Sequence, residues 1–156
     1  MKHFENLSQE DLVVLENAVP QIAVLIAGSD GKIDVKEEIW AEKVTAIRGF
    51  AGDKWLNDFY DEVHANFAIR FRDLIKHLPT ETAKRQKILS VELEKINPIL
   101  AKLEAHTAFK LYKSFKSYAD QVAHASGGIL GFHAVSHDEE VWLNLPMITP
   151  IEEPIE

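Results

Sequence analysis

The stretch LIAGSDGKIDVKEEIW, residues 25–40, decides the fold because it holds the end of one helical segment and the start of another. An apolar segment runs into Gly28 and Gly31, and glycines of this kind interrupt helices. Asp34 then stands at a helix N-cap position, and Glu37 follows three residues later, where it can complete a capping box. The stretch therefore predicts a helix, a glycine turn and a second helix.

The same pattern occurs a second time near the other end of the chain. The segment IDVKEEIW, residues 33–40, aligns with VSHDEEVW, residues 135–142. Both contain a β-branched residue, a cap residue, a Glu-Glu pair, and a β-branched residue followed by Trp. Both also follow an apolar segment that ends in small residues. Because internal similarity indicates a repeated structural unit, we expect a helix–turn–helix unit used twice, with the copies related by an approximate two-fold axis.

The remainder of the chain also carries helix signals. Apolar residues between Trp55 and Leu78 recur at steps of three and four, and Pro79 ends that segment. A break is expected near Glu104, and strand patterns are lacking. Further helix starts are predicted at Ser8, Pro20, Asp53, Thr80, Asn97 and Ser136. The sequence therefore predicts an all-α compact bundle of about six to eight helices, forming one domain over residues 1–145 with a Pro-rich extended tail over residues 146–156.

Composition narrows the class of protein. A chain of 156 residues with 46% hydrophobic residues can bury a core as a single domain. It contains no cysteine, which excludes disulfides, thiolate nucleophiles and cysteine-bound metals. Neither a signal peptide nor a membrane-spanning segment is recognisable, which predicts a cytoplasmic protein without membrane insertion. A net charge of −8 argues against nucleic-acid binding, because phosphates would be repelled.

Two segments resemble a known family. IAGSDGKIDVKEE, residues 26–38, and VAHASGGILGFHAVSHDEE, residues 122–140, are similar to the two signature segments of the TerB-like family. That family is named for tellurite-resistance proteins, and related segments occur in the membrane-anchored co-chaperone DjlA. The resemblance implies an all-helical fold with internal pseudo-symmetry, a role in stress response or in a membrane-associated complex, and divalent-metal binding by acidic residues. It implies no known enzymatic reaction.

The acidic turns are the candidate metal site. If Gly31 is placed at the sixth position of an EF-hand loop, Asp30 and Glu37 fall at ligand positions, but the first and third positions are Ile26 and Gly28. A complete calcium-binding loop is therefore not expected. A weaker site for Ca²⁺ or Mg²⁺, with Zn²⁺ less favoured, would use two clusters of carboxylates: Asp30, Asp34, Glu37, Glu38, Glu139 and Glu140. The competing interpretation is that these residues only cap helices.

No catalytic residue is predicted, because no nucleophile–base motif or phosphate-binding glycine loop is present. We expect a non-enzymatic module that binds a protein partner, with a homodimer also open. The alternative is a small metal-dependent hydrolase or oxidase, in which His64 or His137 would face an acidic pocket. His133 and His137, four residues apart, would suit zinc on one helix, but the cap predicted at Ser136 places His133 in the preceding loop. Aromatic residues and lysines alternate over residues 109–116, and this pattern is interpreted as a core face with a solvated lysine edge.

Overall fold

The structure, a computed structural model, describes residues 1–28, 33, 35–128 and 137–155. Within these ranges it contains a 3-10 turn (Lys2–Phe4), α1 (Gln9–Ala27), α2 (Val35–Ala51), α3 (Asn57–His77), α4 (Thr82–Glu94), α5 (Ile96–Leu100), α6 (Ala105–Gly128) and α7 (His137–Leu143). The described residues include no strand, and the predicted all-α bundle is confirmed.

Helix α1 lies at the centre of the bundle and packs against each of the other helices, α2 to α7. Its second half is apolar on every side, as a helix surrounded by other helices must be. Residues around its whole circumference are fully buried: Val19, Ile22, Ala23, Val24, Ile26 and Ala27. This apolar segment is therefore the central element of the bundle.

The predicted helix start at Pro20 is wrong, because α1 runs without interruption from Gln9 to Ala27. Proline has no amide hydrogen to donate to the carbonyl of Glu16, and a proline inside a helix costs about 3 kcal/mol. Burial of one large aliphatic side chain contributes about 1.5–3 kcal/mol. Since Val19 and Ile22 beside Pro20 are both fully buried, packing outweighs the local preference for a helix start.

The N-terminus of α1 is capped as the sequence predicts. The Ser8 hydroxyl accepts a hydrogen bond from the amide of Asp11 at 3.1 Å. The Asp11 carboxylate in turn accepts from Lys102 Nζ at 2.8 Å, and this hydrogen bond lowers the pKa of Asp11. Leu7 and Leu12 stand at the two positions of a hydrophobic staple around this cap, and both pack against the core. The cap therefore fixes where the central helix begins.

Other helix starts are shifted by a few residues. Asp53 caps a turn that precedes α3, since its Oδ1 accepts from the amide of Trp55 at 2.8 Å and α3 begins only at Asn57. Glu81 precedes α4 in place of Thr80. The predicted break near Glu104 is present, where its carboxylate accepts from two amides at the start of α6. Such shifts arise because several neighbouring residues can serve as caps.

The two copies of the predicted repeat agree in one respect. Helix α2 begins at Val35 and α7 begins at His137, and these are equivalent positions in the aligned segments. The copies differ in their packing, since Trp40 is exposed whereas Trp142 packs against the core. The surroundings of Val135, which would test the two-fold relation, lie outside the described residues, as do Gly31 and Ser136.

The C-terminal segment predicted as an extended tail packs against the bundle up to Ile151. Asn97, predicted as a helix start, lies inside α5 and binds this segment. Its side chain donates to the carbonyl of Met147 at 3.0 Å and accepts from the amide of Thr149 at 2.9 Å. Ile148 is 2% exposed. Leu145 and Ile148 are therefore buried in the core, and Met147 and Ile151 pack against it.

Arg85 of α4 holds the C-terminal end of α1. It is 7% exposed, and its guanidinium donates to the carbonyls of Gly28 at 2.7 Å and Thr80 at 3.3 Å. Carbonyls at a helix C-terminus lack helical partners and carry partial negative charge, which suits a cation. A Cβ atom at Gly28 would lie 2.7 Å from the Val24 carbonyl oxygen and 2.9 Å from the guanidinium. Only glycine at position 28 therefore lets the Arg85 guanidinium come this close to the carbonyl.

We predict that Arg85→Ala lowers the free energy of unfolding by about 1–3 kcal/mol, because the buried Gly28 carbonyl would lose its donor. The matched control is Lys87→Ala on the exposed side of α4, which should change the free energy by less than about 0.5 kcal/mol. Urea unfolding followed by circular dichroism measures both. Equal effects of the two substitutions would contradict the role given to Arg85.

Candidate functional site

The first acidic cluster is partly occupied by contacts within the protein. Glu38, in the first turn of α2, accepts from Arg72 Nε of α3 at 3.1 Å, and its side chain is 18% exposed. Glu37 is partly buried in the same turn. Asp30 and Asp34 lie outside the described residues. Glu38 therefore joins α2 to α3, and any cation bound here would compete with the guanidinium of Arg72.

The second acidic cluster faces lysines. Glu140 of α7 lines a surface depression of about 720 Å³ together with Lys113, Lys116 and Asp120 of α6. The side chain of Glu139 lies outside the described residues. Glu140 therefore shares this depression with two lysines and one further carboxylate. Glu38 and Glu140 thus both lie near cationic side chains.

Metal-binding geometry is not assembled in the part of the chain that the structure describes. There, no group of three or more His, Asp or Glu side chains could hold a metal ion. His64, one of the two histidines of the enzyme hypothesis, has its Nδ1 3.2 Å from the hydroxyl oxygen of Thr45, and that hydroxyl donates its proton to the Glu42 carbonyl. His64 therefore links α3 to α2. His133 and the side chain of His137 lie outside the described residues.

An open cleft of about 380 Å³ lies between α6 and the turn that joins α2 to α3. We call it the Arg48 cleft. Its apolar lining comes from Leu56, Tyr60 and Phe109. Its polar lining comes from Arg48, Asp53, Lys110, Lys113, Ser114 and Ser117. Charged and hydroxyl side chains therefore outnumber the apolar ones in its lining.

Arg48 is bound entirely by neutral acceptors. Its Nη1 donates to the Ser114 hydroxyl at 2.9 Å, and its Nη2 donates to the Ser117 hydroxyl at 2.9 Å and to Gln121 Oε1 at 2.6 Å. Its Nε is buried and has no hydrogen-bond partner. These contacts fix the side chain in place without neutralising it. Arg48 therefore carries its full positive charge at the cleft.

Two buried tyrosines lie against this guanidinium. The Arg48 Cζ atom is 5.5 Å from the ring centre of Tyr60 and 5.7 Å from that of Tyr118. Burial raises the pKa of both phenols, well above its ordinary value for Tyr118, so both stay neutral. Tyr118 donates to the carbonyl of Ala41 at 3.0 Å, and Tyr60 is hydrogen-bonded to Ser114. The rings therefore stabilise the cation by cation–π contact, without a counter-charge.

The lysines of α6 each lie over an aromatic ring. Lys110 Nζ is 5.8 Å from the Trp55 ring centre and also donates to Asp53 Oδ2 at 2.7 Å. That hydrogen bond is the main cause of the lowered pKa of Asp53. Lys113 Nζ lies 5.7 Å from the ring centre of Phe109. Lys110 is thus paired with a carboxylate, whereas the contact found for Lys113 is aromatic.

Sequence patterns predicted one part of this region and missed another. The predicted aromatic core face over residues 109–116 is present, since Phe115 is fully buried and Lys113 is exposed. Arg48 was not identified, because nothing near it in the sequence marks its role. Its partners Ser114 and Ser117 lie 66 and 69 positions away in the chain. A single sequence gives no signal for such a contact.

In comparisons with protein-family models, curated proteins and solved structures, no match to this chain was found. The resemblance to the TerB-like family accordingly stays a prediction that depends on the two sequence segments. A separate finding concerns membranes: among the described helices, none is both long enough and apolar enough to cross a bilayer.

Proposed function

We propose that this chain is a non-enzymatic, TerB-like helical module that binds a protein partner through the outer face of α2. The observation that supports this most strongly is the exposure of apolar side chains there. The exposed fractions are 69% for Val35, 56% for Ile39, 42% for Trp40 and 52% for Ile47. Residues three and four apart share one side of a helix, so these side chains lie along one face of α2, which we call the stripe, and exposed apolar side chains gathered on one face favour an interaction site.

The stripe is not needed to hold α2 in the fold. The opposite side of α2 already packs into the bundle through Ala41, Val44 and Thr45, which are at most 3% exposed. One apolar face suffices to bury a surface helix. A second apolar face on the solvent side costs solubility, and binding of a partner explains why it is present.

The charges on this face favour a partner with acidic residues. Lys36 and Lys43 are both exposed and lie between the apolar residues of the stripe. An amphipathic helix with Asp or Glu beside its apolar residues matches this arrangement in both shape and charge. Val141 of the second repeat copy, which aligns with Ile39, is 59% exposed. The two copies therefore share an exposed β-branched residue.

The alternative enzyme hypothesis has less support. It requires His64 or His137 in a shared acidic pocket, where the ring could bind a metal or transfer a proton. The side chain of His137 lies outside the described residues. The Nδ1 atom of His64 lies instead beside the Thr45 hydroxyl. This favours the interaction module over a metal-dependent hydrolase or oxidase.

Weak binding of a divalent cation is a further part of this proposal. Carboxylate oxygens suit Ca²⁺ and Mg²⁺, and the residues concerned are Asp30, Asp34, Glu37 and Glu38, with Glu139 and Glu140 as a second cluster. Two guanidinium groups oppose a cation near the first cluster, since Arg72 binds Glu38 and Arg85 binds the Gly28 carbonyl. We therefore expect a weak site, with a Kd of about 10⁻⁴–10⁻³ M.

The partner-binding proposal is tested with a photo-crosslinking amino acid at position 39, expressed in cells of the source organism. The matched control places it at position 69, since Ile69 is a 74% exposed isoleucine on α3. We expect one defined partner to crosslink from position 39 only. Lys36→Glu with Lys43→Glu should abolish the crosslink, because both charges would then repel an acidic partner.

Three results would contradict this proposal. The same proteins could crosslink from positions 39 and 69, or the crosslink could survive the two charge reversals. A crosslink between two copies of this chain would also contradict it, because the partner would then be a second copy.

The metal proposal is tested by calorimetric titration of the folded chain with Ca²⁺, Mg²⁺ and Zn²⁺. We predict a stoichiometric signal for Ca²⁺ or Mg²⁺ that is lost in a variant carrying Asp30→Asn, Asp34→Asn and Glu37→Gln, because the hard oxygen ligands are removed. The matched control is Glu94→Gln on the exposed side of α4. A signal of equal size in all three proteins would show that the predicted residues are not the ligands.

A further inference from the structure

The Arg48 cleft concentrates positive charge on an otherwise acidic protein. It is lined by three cationic side chains, Arg48, Lys110 and Lys113, and by one carboxylate, Asp53. The resulting net charge of the lining is +2, whereas the chain as a whole has a net charge of −8. Asp53 neutralises Lys110. Within the described part of the chain, Arg48 and Lys113 have no carboxylate partner.

We propose that the Arg48 cleft binds the phosphate group of a small phosphate monoester. Direct contacts come from the ammonium groups of Lys110 and Lys113 and from the hydroxyl of Ser117. Arg48 does not contact the phosphate directly; it donates to the serine hydroxyls and adds its positive charge to the cleft. This inference is independent of the outer face of α2.

The hydrogen-bond directions at Arg48 leave a donor for the anion. A guanidinium can only donate, so the Ser117 oxygen accepts from Arg48 and its own proton is available for another acceptor. Ser114 also accepts from Arg48, but it is additionally bonded to the Tyr60 hydroxyl. Ser117 is exposed, and a hydroxyl that accepts from a cation becomes a better donor. Its proton is therefore the one directed to a bound anion.

Arg48 is held in place before any ligand arrives. Four hydrogen bonds and two aromatic rings fix its guanidinium, and its buried Nε has no acceptor. The side chain is partly buried, and it has no carboxylate partner among the described residues. A bound dianion would supply the missing negative charge. A prearranged site of this kind also avoids ordering side chains when the ligand binds.

The volume of the cleft and the charge of its lining indicate the class of ligand. A phosphate monoester carries close to two negative charges at neutral pH, which matches the net charge of the lining. Leu56 and Phe109 provide an apolar surface for the organic part of the ligand. The cleft volume of about 380 Å³ is near the lower end for small-molecule sites. A nucleic acid would extend beyond the cleft and meet the acidic surface, which disfavours it.

The test is an NMR titration of the full chain with phenyl phosphate as probe. We expect saturable amide shifts at Lys113, Ser114 and Ser117, with a Kd of about 1 mM or tighter. Phenol should produce no such shifts. Inorganic phosphate should bind about tenfold more weakly, because it lacks an organic part to contact Phe109 and Leu56.

Three variants test the contribution of individual charged residues to phosphate binding. Each variant is first checked for folding by circular dichroism. Lys113→Gln should weaken binding about tenfold, because one charge-assisted hydrogen bond is lost. Asp53→Asn should strengthen it several-fold, because Lys110 is released and the amide oxygen can still accept from Trp55. Lys87→Gln, a lysine on the exposed side of α4, should leave the affinity unchanged.

The proposal is overturned if Lys113→Gln and Lys87→Gln bind phenyl phosphate equally well, or if the shifts spread over many surface lysines without saturation. It is also overturned if phenol produces the same shifts, since the cleft would then recognise the ring. Equal affinity for inorganic phosphate and phenyl phosphate would contradict the proposal that the ligand is a phosphate monoester. A weaker affinity in Asp53→Asn would contradict the role given to Lys110.

Discussion

Burial of α1 on all sides is the constraint on which the rest of the structure depends. Its second half has no polar face to turn toward water, so other helices must surround it. This requirement explains why the helix continues through Pro20, since a break there would expose side chains whose burial is worth more than one hydrogen bond. It also explains why Arg85 reaches the Gly28 carbonyl, because a buried helix end needs a donor.

The arginines show how an acidic chain uses its positive charges. Arg70 pairs with the buried Glu16 of α1 at 3.0 Å, and Arg72 pairs with Glu38 of α2. Arg85 is bound by carbonyls at a helix end, where the backbone supplies partial negative charge. Arg48 differs from all three, because its partners are neutral side chains and one backbone carbonyl and it lies at a cleft. That difference distinguishes the Arg48 cleft from the structural ion pairs.

Local patterns in the sequence predicted the helices, whereas contacts between residues far apart in the chain could not be predicted from a single sequence. The Ser8 cap and the spacing of Phe59, Val63 and Phe67 were legible because each depends on neighbours within a turn or two. Pro20 was misinterpreted because the burial that overrides it comes from other helices. Arg48 was missed for the same reason. Of the predicted metal ligands, Glu38 is placed in an ion pair, and Asp30 and Asp34 lie outside the described residues.

Native-state hydrogen exchange tests the central position of α1 most directly. If the other helices depend on α1, the amides of Ile22, Val24 and Ile26 exchange only through global unfolding, and their opening free energy equals that measured with denaturant. The amides of α7 and of the outer turns of α2 should open at lower free energy. Faster exchange at Ile22, Val24 and Ile26 than at Phe67 of α3 and Phe115 of α6 would contradict the account, because α1 could then open while the remaining helices stay folded.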